Sequence, residues 1–188
     1  MKLFKFLKIT GPIFALVLMI NTASASLLIE PHVAFNLNGS GEGSVNSISH
    51  KYEYNGPQYG ARLGLQFLGL MAGVDYTRSS FDMEDKFSGT GVTDSFSRNE
   101  TGVFVGYNFP ILVRAWGTYY FSNDAKNDRG DKYSGNTKEL GVGFTALPLL
   151  SINVMYRMVT WDEINSVKIS DDINANEIVV GVSLPLTF

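Results

Sequence analysis

Large apolar residues alternate with small or polar ones along most of this chain. The last twelve residues show it most fully: Ile178, Val180, Val182, Leu184, Leu186 and Phe188 form one set, and Glu177, Gly181, Ser183 and Thr187 the other, with Val179 the exception. A period of two over this length predicts a strand with two unlike faces. The same pattern predicts seven more strands at about 28–37, 58–67, 70–78, 100–109, 112–121, 138–147 and 150–160. Segments opening on Glu100, Glu139 and Glu177 repeat at 38–39 residues, and the stretch from Tyr59 is a weaker copy. Each copy holds two strands, one long connection and one short turn, which fits an up-and-down barrel better than a solenoid or a propeller.

The connections alternate in length. Short turns are expected at 68–69, 110–111 and 148–149, and long polar loops at 38–57, 79–99, 122–137 and 161–175. Short turns on one rim and long loops on the other are the pattern of a membrane barrel, and strands of about 9–12 residues cross a bilayer at a tilt. An even strand number puts both chain ends on the periplasmic rim.

The face opposite the apolar one carries an ionisable group on almost every strand: Glu30, Arg62, Asp75, Glu100, Arg114, Glu139, Arg157 and Glu177, joined by His32. Buried charges need partners, and five acids with three arginines allow a paired, partly hydrated interior network. The apolar set then faces lipid, and lipid requires the sheet to close. Tyr59, Tyr76, Tyr119, Tyr156, Phe67, Phe109 and Phe188 are candidates for two aromatic girdles. A soluble lipocalin-like barrel would put its apolar face inside, which the charged face opposes.

The chain start changes the picture by adding export. Lys2, Lys5 and Lys8 precede an apolar run at 9–20 and the small-x-small site Ala23-Ser24-Ala25. Residues 1–25 read as a cleaved signal peptide and 26–188 as the barrel. The apolar run is short of the ~20 residues of a spanning helix, and no Cys follows Ala25 for lipidation. Cleavage takes the net charge from −3 to −6, and with no basic patch nucleic acid is not an expected partner. An exported chain without Cys rests on burial and closed hydrogen bonding.

Taken together, the signal peptide, alternating strands, loop asymmetry and terminal Phe188 resemble the small eight-stranded outer-membrane proteins of the OmpA transmembrane-domain and OmpX type. The resemblance covers the whole chain after residue 25 and rests on pattern, not on a residue-specific motif. It implies an all-β, eight-stranded antiparallel up-and-down transmembrane β-barrel in a Gram-negative outer membrane, monomeric and among lipid and lipopolysaccharide. It also implies that Gly181, Leu184, Leu186 and Phe188 act as the assembly signal, read by periplasmic chaperones and the barrel-assembly machinery. Nothing follows Phe188, so the peptidoglycan-binding domain of full-length OmpA-type proteins, and wall anchoring by it, are not expected.

An eight-stranded barrel holds side chains or one small ligand, and Arg62, Arg114, Arg157, Trp116, Tyr120 and Phe104 would fill much of it. A structural or surface-interaction role through the loops is therefore expected, ahead of a small-solute pore or a lipid A-modifying enzyme. Such enzymes need a His with a Ser and an acid; the two histidines are His32, expected in the inner network, and His50, beside Ser49 with no supporting signature. No catalytic residue, cofactor or metal site is assigned. The stretch 39–43 (Gly-Ser-Gly-Glu-Gly) reads as a flexible loop, not a phosphate loop. The oxygen-rich stretch 123–131 does not fit an EF-hand and reads as a solvated loop. Tyr52, Tyr54, Phe81, Phe87, Phe96, Tyr133 and Trp161 are the loop aromatics expected to make surface contacts. Pro31 and Pro185 each lack a ladder donor and are expected near a strand end or bulge at the closing seam.

Overall fold

The computed structural model describes residues 25–45, 48–87, 90–147 and 149–188, in backbone only at 43–45, 48–50, 85–87, 90–92, 146, 147 and 171. Residues 1–24, where the signal peptide is expected, Pro148 and the side chains of His50 and Phe87 lie outside what is described. The strands are β1 (Ser26–Val45), β2 (Ile48–Phe67), β3 (Leu70–Phe87), β4 (Thr90–Asn108), β5 (Val113–Asn127), β6 (Lys132–Leu147), β7 (Leu150–Ile164), β8 (Val167–Ser183) and the two-residue β9 (Leu186–Thr187). Each of β1 to β7 pairs antiparallel with the next, and β1 pairs with β2 on one side and with β8 and β9 on the other. The sheet is therefore closed, with β9 continuing β8 past a break at Leu184–Pro185. Following cross-strand partners once around from Ile29 returns to β1 at Ser40. That stagger is the strand tilt a closed barrel demands.

The alternating apolar set points out. Val33, Leu63, Val74, Val105, Leu140, Val154 and Ile178 are all exposed, on seven different strands. On β5 this belt runs from Val113 to Phe121, about 20 Å along the barrel axis after tilt, near the ~25 Å band of known barrels. Tyr76 and Tyr156 edge it towards one rim, their hydroxyls donating to Asn99 Oδ1 at 3.1 Å and Asn176 Oδ1 at 2.9 Å. Tyr107 and Phe109 edge it towards the other, edge to face at 5.0 Å.

Both described chain ends share one rim, where Leu27 and Phe188 exchange both backbone hydrogen bonds, at 2.9 and 3.0 Å. This near rim also carries the turns at 68–69 and 109–112. Leu68 and Gly69 both have positive φ (49° and 85°), the backbone of a two-residue hairpin whose twist suits the strands.

The far rim corrects the expectation of long loops. Segments 38–57, 79–99, 122–137 and 161–175 are mostly strand, and the hairpins run on beyond the belt. The β7–β8 connection is only Asn165–Ser166, with φ 52° and 65°. Gly39 and Gly41, expected in a flexible loop, face inward from β1, after a register shift between Asn36 and Gly39. The asymmetry between rims is one of strand overhang, not of loop length.

Pro31 and Pro185 do meet the closing seam. Leu184 N donates to Pro31 O at 3.0 Å, and the reciprocal bond is the one that the missing Pro31 N–H removes. Pro185 follows β8 at the break, past the last residue that β7 pairs with, Ser183. The seam therefore gives up one ladder bond near this rim.

Candidate functional site: the ion-paired interior and the far rim

Inward positions along the belt bring the nine expected residues into the lumen. Glu30, His32, Arg62, Asp75, Glu100, Arg114, Glu139, Arg157 and Glu177 are all buried. Arg62 reaches Asp75 at 2.7 Å, Glu139 at 3.2 Å and Glu30 at 3.4 Å. Arg114 donates to the other oxygen of Glu30 at 2.6 Å. Arg157 donates to Glu100 at 2.5 Å and Glu177 at 2.8 Å, and its Nε lies 3.3 Å from Glu139 without hydrogen-bond alignment. Glu139 thus joins the two arginine centres. His32 stands beside them, its Nε2 3.2 Å from Thr77 Oγ1.

Arg98 belongs to this network too, although it lies in the stretch 79–99 that its polarity marks as a loop. It is buried and grips Glu177 with both terminal nitrogens, at 2.6 and 3.2 Å, with Nε 3.1 Å from Ser79 Oγ. The available signal was its place two residues before Glu100, on the same face of β4.

These contacts span the lumen: Arg62 of β2 to Glu139 of β6, Arg114 of β5 to Glu30 of β1, Arg98 of β4 to Glu177 of β8. Each guanidinium also lies against an aromatic ring. Arg62 is 4.4 Å and Arg114 5.4 Å from the Trp116 ring, Arg98 5.3 Å from Phe81 and Arg157 5.3 Å from Tyr120. A buried cation with an anion in its plane and a π-face above it is desolvated at reduced cost. Trp116 fits because β6 offers no side chain beneath it: a Cβ on Gly141 would stand 2.2 Å from the indole Cε2. The indole N–H then donates to Glu139 at 2.9 Å.

Apolar layers close the network above and below. Towards the near rim, Leu28, Met71, Phe104, Trp116, Met155 and Val179 pack together. Towards the far rim, Tyr54, Phe81, Phe96, Val159, Trp161 and Ile173 form a second cluster. Phe81 stacks on Phe96 at 5.4 Å, and Tyr54 lies 4.8 Å from Phe81 while donating its hydroxyl to Glu177 at 2.7 Å. Tyr54, Phe81, Phe96 and Trp161 were expected as surface contacts; they are buried inside instead, with Tyr52 and Tyr133 partly buried against them.

Far-rim turns are tied to one another. Arg129 holds both oxygens of Asp94, joining the β5–β6 turn to β4. Asn165 of the β7–β8 turn accepts from Lys132 N at 2.9 Å and donates to Asp131 at 3.1 Å. The bond from Asn165, and then one from Asn127 at 3.3 Å, hold the Asp131 carboxyl below its ordinary range. Asn123, expected in a solvated loop, is buried and donates to Thr137 at 2.9 Å. Among the described residues no cluster of His, Asp and Glu has the form of a metal site.

No protein-family profile and no curated protein matches the sequence. Solved structures do match the fold. Neisserial surface protein A is 20% identical over 87% of this chain and 99% of its own, with a TM-score of 0.53. The outer membrane protein OprG from Pseudomonas aeruginosa is 9% identical over 87% and 97%, at 0.52. Ail, the attachment invasion locus protein of Yersinia pestis, solved with the heparin analogue sucrose octasulfate, is 12% identical over 83% and 99%, at 0.50. At such identities the likeness is one of fold. Joined to an apolar belt that only a bilayer suits, it makes this chain a small eight-stranded β-barrel of the outer membrane.

Proposed function

We propose that the protein is a closed barrel that works through its far-rim hairpins, as a structural or surface-interaction protein and neither a pore nor an enzyme. The observation that carries this reading is the filled lumen. Among the described residues, ion pairs cross it at mid-height and an aromatic cluster lies over them, which supports a lumen closed by side chains. The near rim, which holds the chain ends, is periplasmic, and the far rim is extracellular. The overhanging hairpins then form an ordered platform outside the cell. Ail, which shares the fold, is named for attachment and invasion, a role of the same kind. In this reading residues 1–25 are the signal peptide. Gly181, Leu184, Leu186 and Phe188 are the signal read by chaperones and the assembly machinery, and the barrel is a monomer in lipid and lipopolysaccharide.

Planar-bilayer recording with the purified barrel tests it. We expect no stepwise conductance, and loss of cell-surface binding when the overhangs 80–97 and 125–134 are trimmed from a barrel that still folds. Stable ohmic steps would make the protein a pore. A change in lipid A acyl mass between cells with and without it would make it an enzyme.

A further inference from the structure

The outer wall is not evenly covered. On β5, two successive outward positions in the belt, Ala115 and Gly117, are the smallest available. A Cβ at Gly117 would find only Leu140 Cδ2 at 3.6 Å and Glu139 O at 3.7 Å. Two apolar grooves open there on either side of Leu140. One, of about 450 Å³, runs over Gly117 between Val105, Tyr119 and Leu140; the other, of about 520 Å³, runs over Ala115 between Leu140, Val154 and Tyr156.

Lys138 stands at the far-rim end of the first groove. It faces outward on β6, between Tyr119 on β5 and Met158 on β7. Among the described residues no acid pairs with it. This is the height at which Tyr156 turns its hydroxyl to polar Asn176, so the ammonium sits where the hydrocarbon ends and lipid headgroups begin.

We propose that this wall is a built docking site for one lipid A molecule of the outer leaflet. An acyl chain lies in the groove over Gly117, a second follows the Ala115 groove, and a lipid A phosphate pairs with Lys138. Two independent features converge on that occupant: a hydrocarbon-lined dent at mid-belt and an unpaired cation directly above it. A zwitterionic lipid could fill the dent but brings no net charge to Lys138. The proposal rests on the orientation given under the proposed function, in which the far rim faces outward.

The test uses the full mature barrel refolded into phosphatidylcholine vesicles, with folding checked by protease protection. Retention of lipid A, and of phosphatidylglycerol, is then read by native mass spectrometry. Gly117→Leu fills the groove and Lys138→Gln removes the charge; each is expected to weaken lipid A retention about tenfold. Ala72→Leu fills a small outward position on β3, and Arg78→Gln removes another outward cation; both should bind like the parent. Equal retention by all variants, an equal fall in the controls, or phosphatidylglycerol held as well as lipid A would overturn the site while leaving the barrel intact. A chain that fails to enter vesicles would overturn the membrane reading and this site together.

Discussion

Arg157→Met asks whether the lumen is a brace or a hydrated space. The guanidinium donates to Glu100, Glu177 and, at 3.2 Å, to Gln58, and lies beside Glu139 and over the Tyr120 ring. Methionine keeps the apolar stem and removes the charge. Glu100, Glu139 and Glu177 then share one fewer cation, and none can turn to water, because all three are buried. Removing one partner from a buried ionic cluster costs about 3–5 kcal/mol. With a urea slope of about 2 kcal/mol per molar, that lowers the unfolding midpoint by about 2 M. Charge counting adds a second arm. The buried network holds five carboxylates and four guanidiniums, so Glu139→Gln brings it to balance and should cost far less, about 1 kcal/mol. The double variant Arg157→Met/Glu177→Gln should recover part of the loss, with a coupling above about 1 kcal/mol. Reversible urea unfolding from vesicles reads all of these, with Trp116 and Trp161, both buried, as reporters. A midpoint for Arg157→Met within about 0.5 M of the parent, or additive costs in the double variant, would mean that water solvates these charges. The lumen would then be a hydrated space and not a closed one.

Three further outcomes follow from the same geometry. Val154→Arg, at mid-belt, should cost about 2–4 kcal/mol in vesicles, whereas Asn174→Arg on the overhang of β8 should stay within about 0.5 kcal/mol; equal costs would remove the belt. Gly141→Val should displace Trp116 from its seat and break its bond to Glu139, seen as a changed near-ultraviolet dichroism; an unchanged spectrum would refute the seat. For Asp131, the folded carboxyl lies below its ordinary value near 3.8, so its contribution is fully present above that value. It is lost as the pH falls through the lower, folded one. Exchange protection of 127–132 and 165–166 should therefore hold from pH 8 to pH 5 and fall only in stronger acid; loss between pH 7 and pH 5 would mean that another group ties the turns.

Strand number, closure and the inward set of nine ionisable residues were legible in the alternation, because the bilayer imposes it with one phase: apolar out, polar in. Pairing was not legible, since which carboxylate meets which arginine depends on register and tilt. Glu139 and Arg62 are far apart in the chain and meet only because β2 and β6 face each other across the lumen. The hairpins were misread for a different reason. In β3, Ala72, Val74 and Tyr76 point out while Asp75 and Thr77 point in; a few residues on, Ser80 and Asp82 point out while Phe81 and Met83 point in. In β7 and β8 the same exchange sets Met158 and Ile178 outside below, and Trp161 and Ile173 inside above. Through these stretches the period of two continues while its apolar phase inverts; bulges at 37–38 in β1 and 121–122 in β5 interrupt it.

That inversion is what the change of solvent requires. In lipid the outer face must be hydrocarbon and the inner face can hold paired charge. Above the lipid the outer face meets water, so the apolar residues turn inward and the barrel is built like a soluble one. A reading that follows the apolar-outward phase ends each strand at the membrane surface and takes the inverted remainder for loop. Arg98 sits in the crossover, between inward Glu100 and inward Phe96, and was lost with it. The place where the phase turns over thus marks the bilayer boundary in the sequence itself. It falls at the level of Tyr76, Lys138 and Tyr156, where the wall presents its interfacial tyrosines and the cation assigned to lipid A.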